Sequence, residues 1–327
     1  MPAESPTLWL APLKGLTDAV FRRTFAEHFG GFDRAMAPFI TAVAAERLTD
    51  THVRDLIPAA DGTIPLTPQI LGNAPEPFLA VAARLHELGY AEVNWNLGCP
   101  FRPVSKKRRG AGLLPFPDAI DAFLDRTLRV LPMRLSIKMR LGRTTPDEIF
   151  ELLPVLDRYP LTEVCIHPRT ARQLYGGSPD LETFARCLAL TRHRIVYYGD
   201  IVDLAGFLAM QARFPSVDSW MIGRGALCDP FLPAAIKAGT DGEADKVRRF
   251  KAFYDDLFAR MGERLSGPGH LLDRMKGFWT YFAPAFTEGP DLAKQIHRTF
   301  QLPRYVDAVE QFFQEKAVWR KSERAGM

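Results

Sequence analysis

The sequence predicts an α/β protein: a (β/α)8 TIM barrel followed by a C-terminal all-helical domain. Three observations predict it. Short apolar, β-rich runs recur eight times between residues 8 and 223, amphipathic segments separate most of them, and beyond residue 240 helical spacing continues without strands. Eight strand–helix alternations over roughly 230 residues agree with the usual barrel length of about 250.

In chain order the strand signals are "LWLAP" (8–12), "RAMAP" (34–38), "TPQILG" (67–72), "EVNWN" (92–96), "RLSIKMR" (134–140), "EVCIHP" (163–168), "RIVYYG" (194–199) and "DSWMIG" (218–223). Segments such as 75–89 and 116–131 carry apolar residues at helical spacing between them. An open doubly wound sheet is the structural rival, but no G-x-G-x-x-G opens a helix, and "GRGALCD" (223–229) fails at its third glycine. The Gly- and acid-containing stretch 229–246 breaks the rhythm and marks a domain boundary, giving a catalytic domain 1–240 and a helical domain 241–327. Residues 244–265, 270–286 and 306–321 are the helices expected in the second.

Composition restricts the function classes. Of 327 residues, 47% are hydrophobic and 24% charged, which suits a globular protein rather than a disordered one. The net charge of +4, from 42 basic and 38 acidic residues, means that a polyanion must be held by a local basic face. Cys99, Cys165, Cys187 and Cys228 form no CxxC or Cys/His cluster, so neither a disulfide scaffold nor a metal site is expected, and a reducing, cytoplasmic setting fits. No apolar run reaches membrane-spanning length, the first residues lack a signal-peptide pattern, and nothing demands a protein partner.

A barrel carries its functional residues at the C-terminal ends of its strands. Those ends are polar here. Strand 1 ends in Pro12, Leu13 and Lys14; strand 3 contains Gln69; strand 4 ends with Asn94, Asn96, Gly98 and Cys99. Strand 5 carries Lys138 and Arg140, and strand 6 ends with His167 and Arg169. "YYGDI" and "MIGRGAL" after strands 7 and 8 are glycine turns opening into helices, suited to cradle a phosphate. A phosphate cradle, a mid-barrel lysine, an amide and a histidine at one rim suit flavin mononucleotide (FMN), with the cation beside N1 and O2 of the ring.

The segments "APLKGLTD" (11–18), "QILG" (69–72), "NWNLGCPFRPVSKKRRGAGLL" (94–114), "IKMRLG" (137–142), "IHPRT" (166–170), "GDI" (199–201) and "MIGRGAL" (221–227) resemble the tRNA-dihydrouridine synthase family in order and spacing. In the tail, "LLDRMKGFWTYF" (271–282) and "KQIHRTF" (294–300) resemble the helical tRNA-binding domain of its bacterial C-type members. The resemblance implies an FMN-dependent, NADPH- or NADH-driven reduction of the C5=C6 bond of a D-loop uridine, at position 16, in tRNA. Cys99 matches the family's proton donor to C5; an ordinary thiol is mostly protonated at neutral pH, so it donates without activation. Pro12, Leu13, Lys14, Gln69, Lys138, His167, Tyr198, Gly199, Asp200, Gly223 and Arg224 are implied to hold FMN. Asn96 is implied to face the base, with Lys106, Lys107, Arg108, Arg109, Arg274, Lys276 and Arg298 on tRNA phosphates and Tyr175 and Tyr281 as aromatic contacts.

The chain departs from the family at Lys14, at Ala37–Pro38–Phe39 where Thr-Glu-Phe is usual, and at Tyr198 where Asn is usual. Two rivals stay open at this point. One is a dihydroorotate dehydrogenase-like barrel, although Phe101 stands where an orotate-anchoring Asn belongs; the other is a tRNA-binding barrel with a decayed redox site.

Overall fold

The computed structural model describes residues 5–57 and 64–320. Its strands are β1 (Thr7–Leu10), β2 (Arg34–Met36), β3 (Ile40–Thr41), β4 (Leu66–Thr67), β5 (Gln69–Leu71), β6 (Glu92–Leu97), β7 (Arg134–Gly142), β8 (Val164–Thr170), β9 (Ile195–Tyr198) and β10 (Ser219–Ile222). β2 pairs with β4 and β3 with β5, both parallel. Pro38 and Pro68 stand between the halves, and a proline has no N–H to give a ladder. Each interrupted pair therefore counts as one strand position. The eight strand signals of the sequence thus become eight parallel positions in strand–helix alternation, the (β/α)8 class, followed by a helical C-terminal region.

Two compact units divide the chain. One comprises Arg34–Gly199 and Phe214–Met221; within it β5, β6, β7, β8, β9 and β10 pair in succession, all parallel. Every residue of β6 is buried, as parallel strands covered on both faces require. The two faces differ in chemistry. Asn94 and Asn96 on β6, Ser136, Lys138 and Arg140 on β7, Cys165 and His167 on β8, and Val196 and Tyr198 on β9 share one side by the two-residue period. The other side is apolar and meets helices: Trp95 stacks on Phe123 with ring centroids 3.9 Å apart.

The second unit comprises Asp200–Arg213 with the described residues up to Asp33 and from Ile222 onward. Its core is aromatic. Phe253, from the long helix Lys246–Arg264, meets Phe21, Phe25 and Phe29 of the segment around helix Ala19–His28, as well as Phe282 of helix Pro268–Phe282. Polar contacts flank these rings: a His28–Asp256 hydrogen bond and a Glu27–Arg260 ion pair. The helix expected over 306–321 instead runs Leu302–Glu315, with Pro303 in its first turn, where the missing N–H costs nothing. Beyond it the chain reverses: Trp319 bridges Phe286 in antiparallel fashion and packs its ring on Phe231, Phe250 and Phe286. Ring contacts of that half-buried indole replace the last helical turn. Among the described residues no helix is long and apolar enough to cross a membrane, and no group of His, Cys, Asp or Glu could hold a metal.

Candidate active site

The end of β6 is organised by amides. Gln69 Nε2 donates to Asn94 Oδ1 at 2.8 Å, and Asn96 Nδ2 donates to Gln69 Oε1 at 2.7 Å. Asn96 Oδ1 then accepts the backbone N–H groups of Gly98 (3.1 Å) and Cys99 (2.9 Å), which bends the chain after the strand. The Cys99 carbonyl accepts from Ala111 N–H at 3.1 Å. Gly110, in the left-handed region at φ +55°, lies against the cysteine so closely that a Cβ there would stand 2.8 Å from the Cys99 carbonyl oxygen and 2.9 Å from its Cβ. Cys99 is thus half-buried and fixed on both sides, whereas burial pushes the Cys165 and Cys187 thiols up to about 12 and that of Cys228 to about 11.

Beside this turn stand two cations from β7. Lys138 is 8% exposed and Arg140 2% exposed, and neither has a carboxylate partner among the described residues. Burial depresses the Lys138 ammonium to about 8 and lowers the Arg140 guanidinium as well. Lys138 Nζ lies over the Tyr198 ring, 3.8 Å from its centroid. Arg140 donates from Nε to the Gly98 carbonyl (3.1 Å) and from one terminal nitrogen to those of Thr170 (2.8 Å) and Leu174 (2.6 Å). On β8, Arg169 donates to the carbonyls of Gly176 (3.2 Å) and Gly177 (2.6 Å) and lies 3.3 Å from His167 Nε2. A guanidinium only donates, so that imidazole nitrogen accepts. The two arginines hold the loop that exposes Tyr175, and Arg140 ties that loop to the cysteine turn. Both arginines were visible at strand ends without a task; the K-x-R spacing puts Lys138 and Arg140 on one face of β7, whereas Arg169 reaches His167 across a register shift in β8.

The basic run follows a short helical turn, Arg102–Ser105, and its Lys106, Lys107 and Arg108 are exposed. Arg109 is half-buried, its Nε donating to Asn73 Oδ1 at 3.2 Å, and the Arg108 guanidinium covers the Phe116 ring at 4.4 Å. Gly199 is required by crowding: a Cβ would stand 2.1 Å from the Tyr197 hydroxyl.

In the second unit, Thr17 closes the turn of Pro12, Leu13 and Lys14: its Oγ1 accepts from Leu13 N–H at 2.8 Å and donates to the Ala11 carbonyl at 3.1 Å. Ala11 N–H donates to the Ile222 carbonyl at 2.9 Å, which sets this turn next to Gly223. Lys14 is exposed. Arg224 and Asp200, both implied to hold FMN, form an ion pair at 2.7 Å. The tail candidates separate: Arg298 is exposed, Tyr281 is half-buried, Arg274 is paired with Asp18 at 2.6 Å, and Lys276 is only 8% exposed with its Nζ 5.1 Å from the Phe300 ring centroid.

Comparison with known proteins adds a lineage to this geometry. The sequence model of the family described as dihydrouridine synthase (Dus) matches residues 9–317. The tRNA-dihydrouridine(16) synthase of Cupriavidus necator is 26% identical over 305 residues, which cover 89% of this chain and 92% of that protein. That of Pseudomonas putida is 27% identical over 300 residues, 88% of this chain and 92% of its own. Among solved structures, morphinone reductase in complex with tetrahydroNAD is similar with a TM-score of 0.51 at 12% identity, over 75% of this chain and 90% of that one. Histamine dehydrogenase from Rhizobium sp. 4-9 is similar with a TM-score of 0.54 at 11% identity, over 96% of this chain and 63% of that one. At these identities the structural likeness speaks for the fold alone.

Proposed function

Since the chain belongs to the dihydrouridine synthase family, we propose that it reduces the C5=C6 bond of a D-loop uridine in tRNA, at position 16, using FMN and NADPH. The observation that carries this reading is the pair of buried cations, Lys138 and Arg140, without a carboxylate partner among the described residues and beside a fixed, half-buried cysteine. Buried positive charge of that kind suits a ligand that bears or develops negative charge. The residues therefore fit a flavin whose reduced form is anionic. Bound flavin supplies a hydride to C6 of the base, and a nicotinamide nucleotide restores it.

The chain's own residues do the rest. Cys99 donates the proton to C5 from its thiol, and the Asn96 amide and Gly110 hold its backbone for that transfer. Lys138 offers countercharge to the flavin ring, with His167 and Gln69 as further contacts. Pro12, Leu13, Lys14, Tyr198, Gly199, Asp200, Gly223 and Arg224 complete the cofactor assignment. Asn96 faces the base with the amide hydrogen its internal bonds leave over, and Tyr175 supplies an aromatic face on the arginine-held loop. Flipping the uridine out of folded tRNA costs a few kcal/mol. Phosphate contacts by Lys106, Lys107, Arg108, Arg109 and Arg298 offset it. Arg274 and Lys276, both engaged inside the protein, join that set only through rearrangement, and Tyr281 is assigned to the same tRNA face. The helical segment 241–327 is the tRNA-binding part of this reading.

The experiment is direct. Purified protein is analysed for bound FMN, then incubated with NADPH and unmodified tRNA, and dihydrouridine is measured and located by mass spectrometry. Dihydrouridine at position 16 is expected. A flavin-loaded protein that reduces a free pyrimidine and leaves tRNA unchanged would contradict the proposal.

A further inference from the structure

We propose that Tyr198 is a positioning residue for Lys138: its ring face holds the buried ammonium in place and keeps it charged where a flavin anion needs a countercharge. The inference rests on the flavin reading above. The two side chains are 8% and 7% exposed, and the ammonium lies 3.8 Å from the ring centroid. A cation over a phenol face is attracted by the ring quadrupole, the more strongly where water is excluded. Strand alternation fixes the arrangement. Tyr197 turns away to pack on Phe184, Phe214 and Trp220, so Tyr198 must turn toward the side that Lys138 shares.

The groups around Lys138 sharpen the need for such a partner. Cys165 pairs with it in register on β8, Arg140 follows it on β7, Cys99 lies beyond β6, and the His167 ring stands 4.8 Å from that of Tyr198. None is a carboxylate. Burial drives the ammonium toward its neutral form, to about 8, and the Arg140 charge reinforces that. The phenol face is the counterweight that the geometry supplies. An amide at this position, the residue usual in the family this sequence resembles, offers no such face.

The test titrates Lys138 by NMR in full-length protein carrying ¹³C-labelled lysine, first without flavin. Tyr198→Phe keeps a ring face; Tyr198→Leu and Tyr198→Met remove it, two apolar replacements guarding against a misfolded variant. The Phe variant is expected to titrate like the parent protein, and the Leu and Met variants at a midpoint lower by about 0.4–1.5 pH units. With flavin bound, the same two variants are expected to show a more negative flavin midpoint potential at pH 8. An unchanged lysine midpoint in both overturns the proposal. A lowered lysine midpoint with an unchanged flavin potential leaves the ring's hold on Lys138 standing and overturns the assignment of Lys138 to the flavin.

Discussion

Gly110→Ala is the perturbation whose size the structure defines best. At φ +55° an alanine carries the left-handed backbone penalty of roughly 1–2 kcal/mol. Its methyl group would also stand 2.8 Å from the Cys99 carbonyl oxygen and 2.9 Å from the Cys99 Cβ. Ordinary contact begins at 3.4 Å, so the two segments must part by about half an ångström, and overpacking of that kind costs about 1–3 kcal/mol. The sum, about 2–5 kcal/mol, is smaller than the stability of most domains of this size. The variant should fold. A misplacement of about 1 Å at a reacting group costs on the order of 100-fold in rate, so half of that predicts roughly tenfold slower dihydrouridine formation with flavin binding unchanged. Gly89→Ala separates the two contributions, because Gly89 has φ +92° with nothing within 4 Å of the added carbon. Urea unfolding and tRNA turnover are measured for both variants. If Gly110→Ala is no less stable than Gly89→Ala and turns over at the parent rate, the close approach to Cys99 has no functional weight.

Three further outcomes are expected. Burial, partly offset by Arg34, raises Glu163 from an ordinary 4.5 to about 7, so between those values the folded state binds more protons than the unfolded one and stability falls as pH rises through the window; at 1.36 kcal/mol per pH unit the penalty approaches roughly 3 kcal/mol above pH 7. Glu163→Gln should therefore gain about 1–3 kcal/mol at pH 8 and little at pH 4.5 by urea unfolding, and an equal effect at both pH values would refute the burial argument. Lys106→Ala with Lys107→Ala should weaken tRNA binding and flatten its dependence on log salt by about 0.7–0.9 per lost phosphate contact, whereas an unchanged slope removes these lysines from the interface. Phe253→Ala should cost about 3–5 kcal/mol in thermal or urea unfolding, because its fully buried ring meets Phe21, Phe25 and Phe29 as well as Phe282.

The barrel strands were legible because their polar residues fall at every second position within apolar runs. Asn94 and Asn96, and Lys138 and Arg140, each occupy one face, and the sequence states that spacing directly. What stayed hidden depends on partners far away in the chain. Arg274 reads as a free basic residue until Asp18, 256 positions earlier, is found against it. Lys276 carries the same charge in the sequence whether it faces solvent or, as here, is buried near Phe300. The last helix stops at Glu315 because Trp319 finds three aromatic rings, among them Phe231 and Phe250 well before it in sequence. Arg140 was visible as a strand-end cation, but its hold on Gly98, Thr170 and Leu174 needs the loop conformations that the fold supplies. Asn96 shows both sides: its place before the cysteine was legible, while the use of its carbonyl oxygen to bend the chain was not.

The proton-donor role of Cys99 is tested most directly by a single-turnover measurement. Cys99→Ala is loaded with flavin, reduced with NADPH and mixed with unmodified tRNA, and dihydrouridine is followed by mass spectrometry beside flavin content and tRNA affinity. The account predicts parent-like flavin content and affinity with dihydrouridine formation slowed by about 10²–10⁴. Dihydrouridine formed at the parent rate by the alanine variant would contradict it.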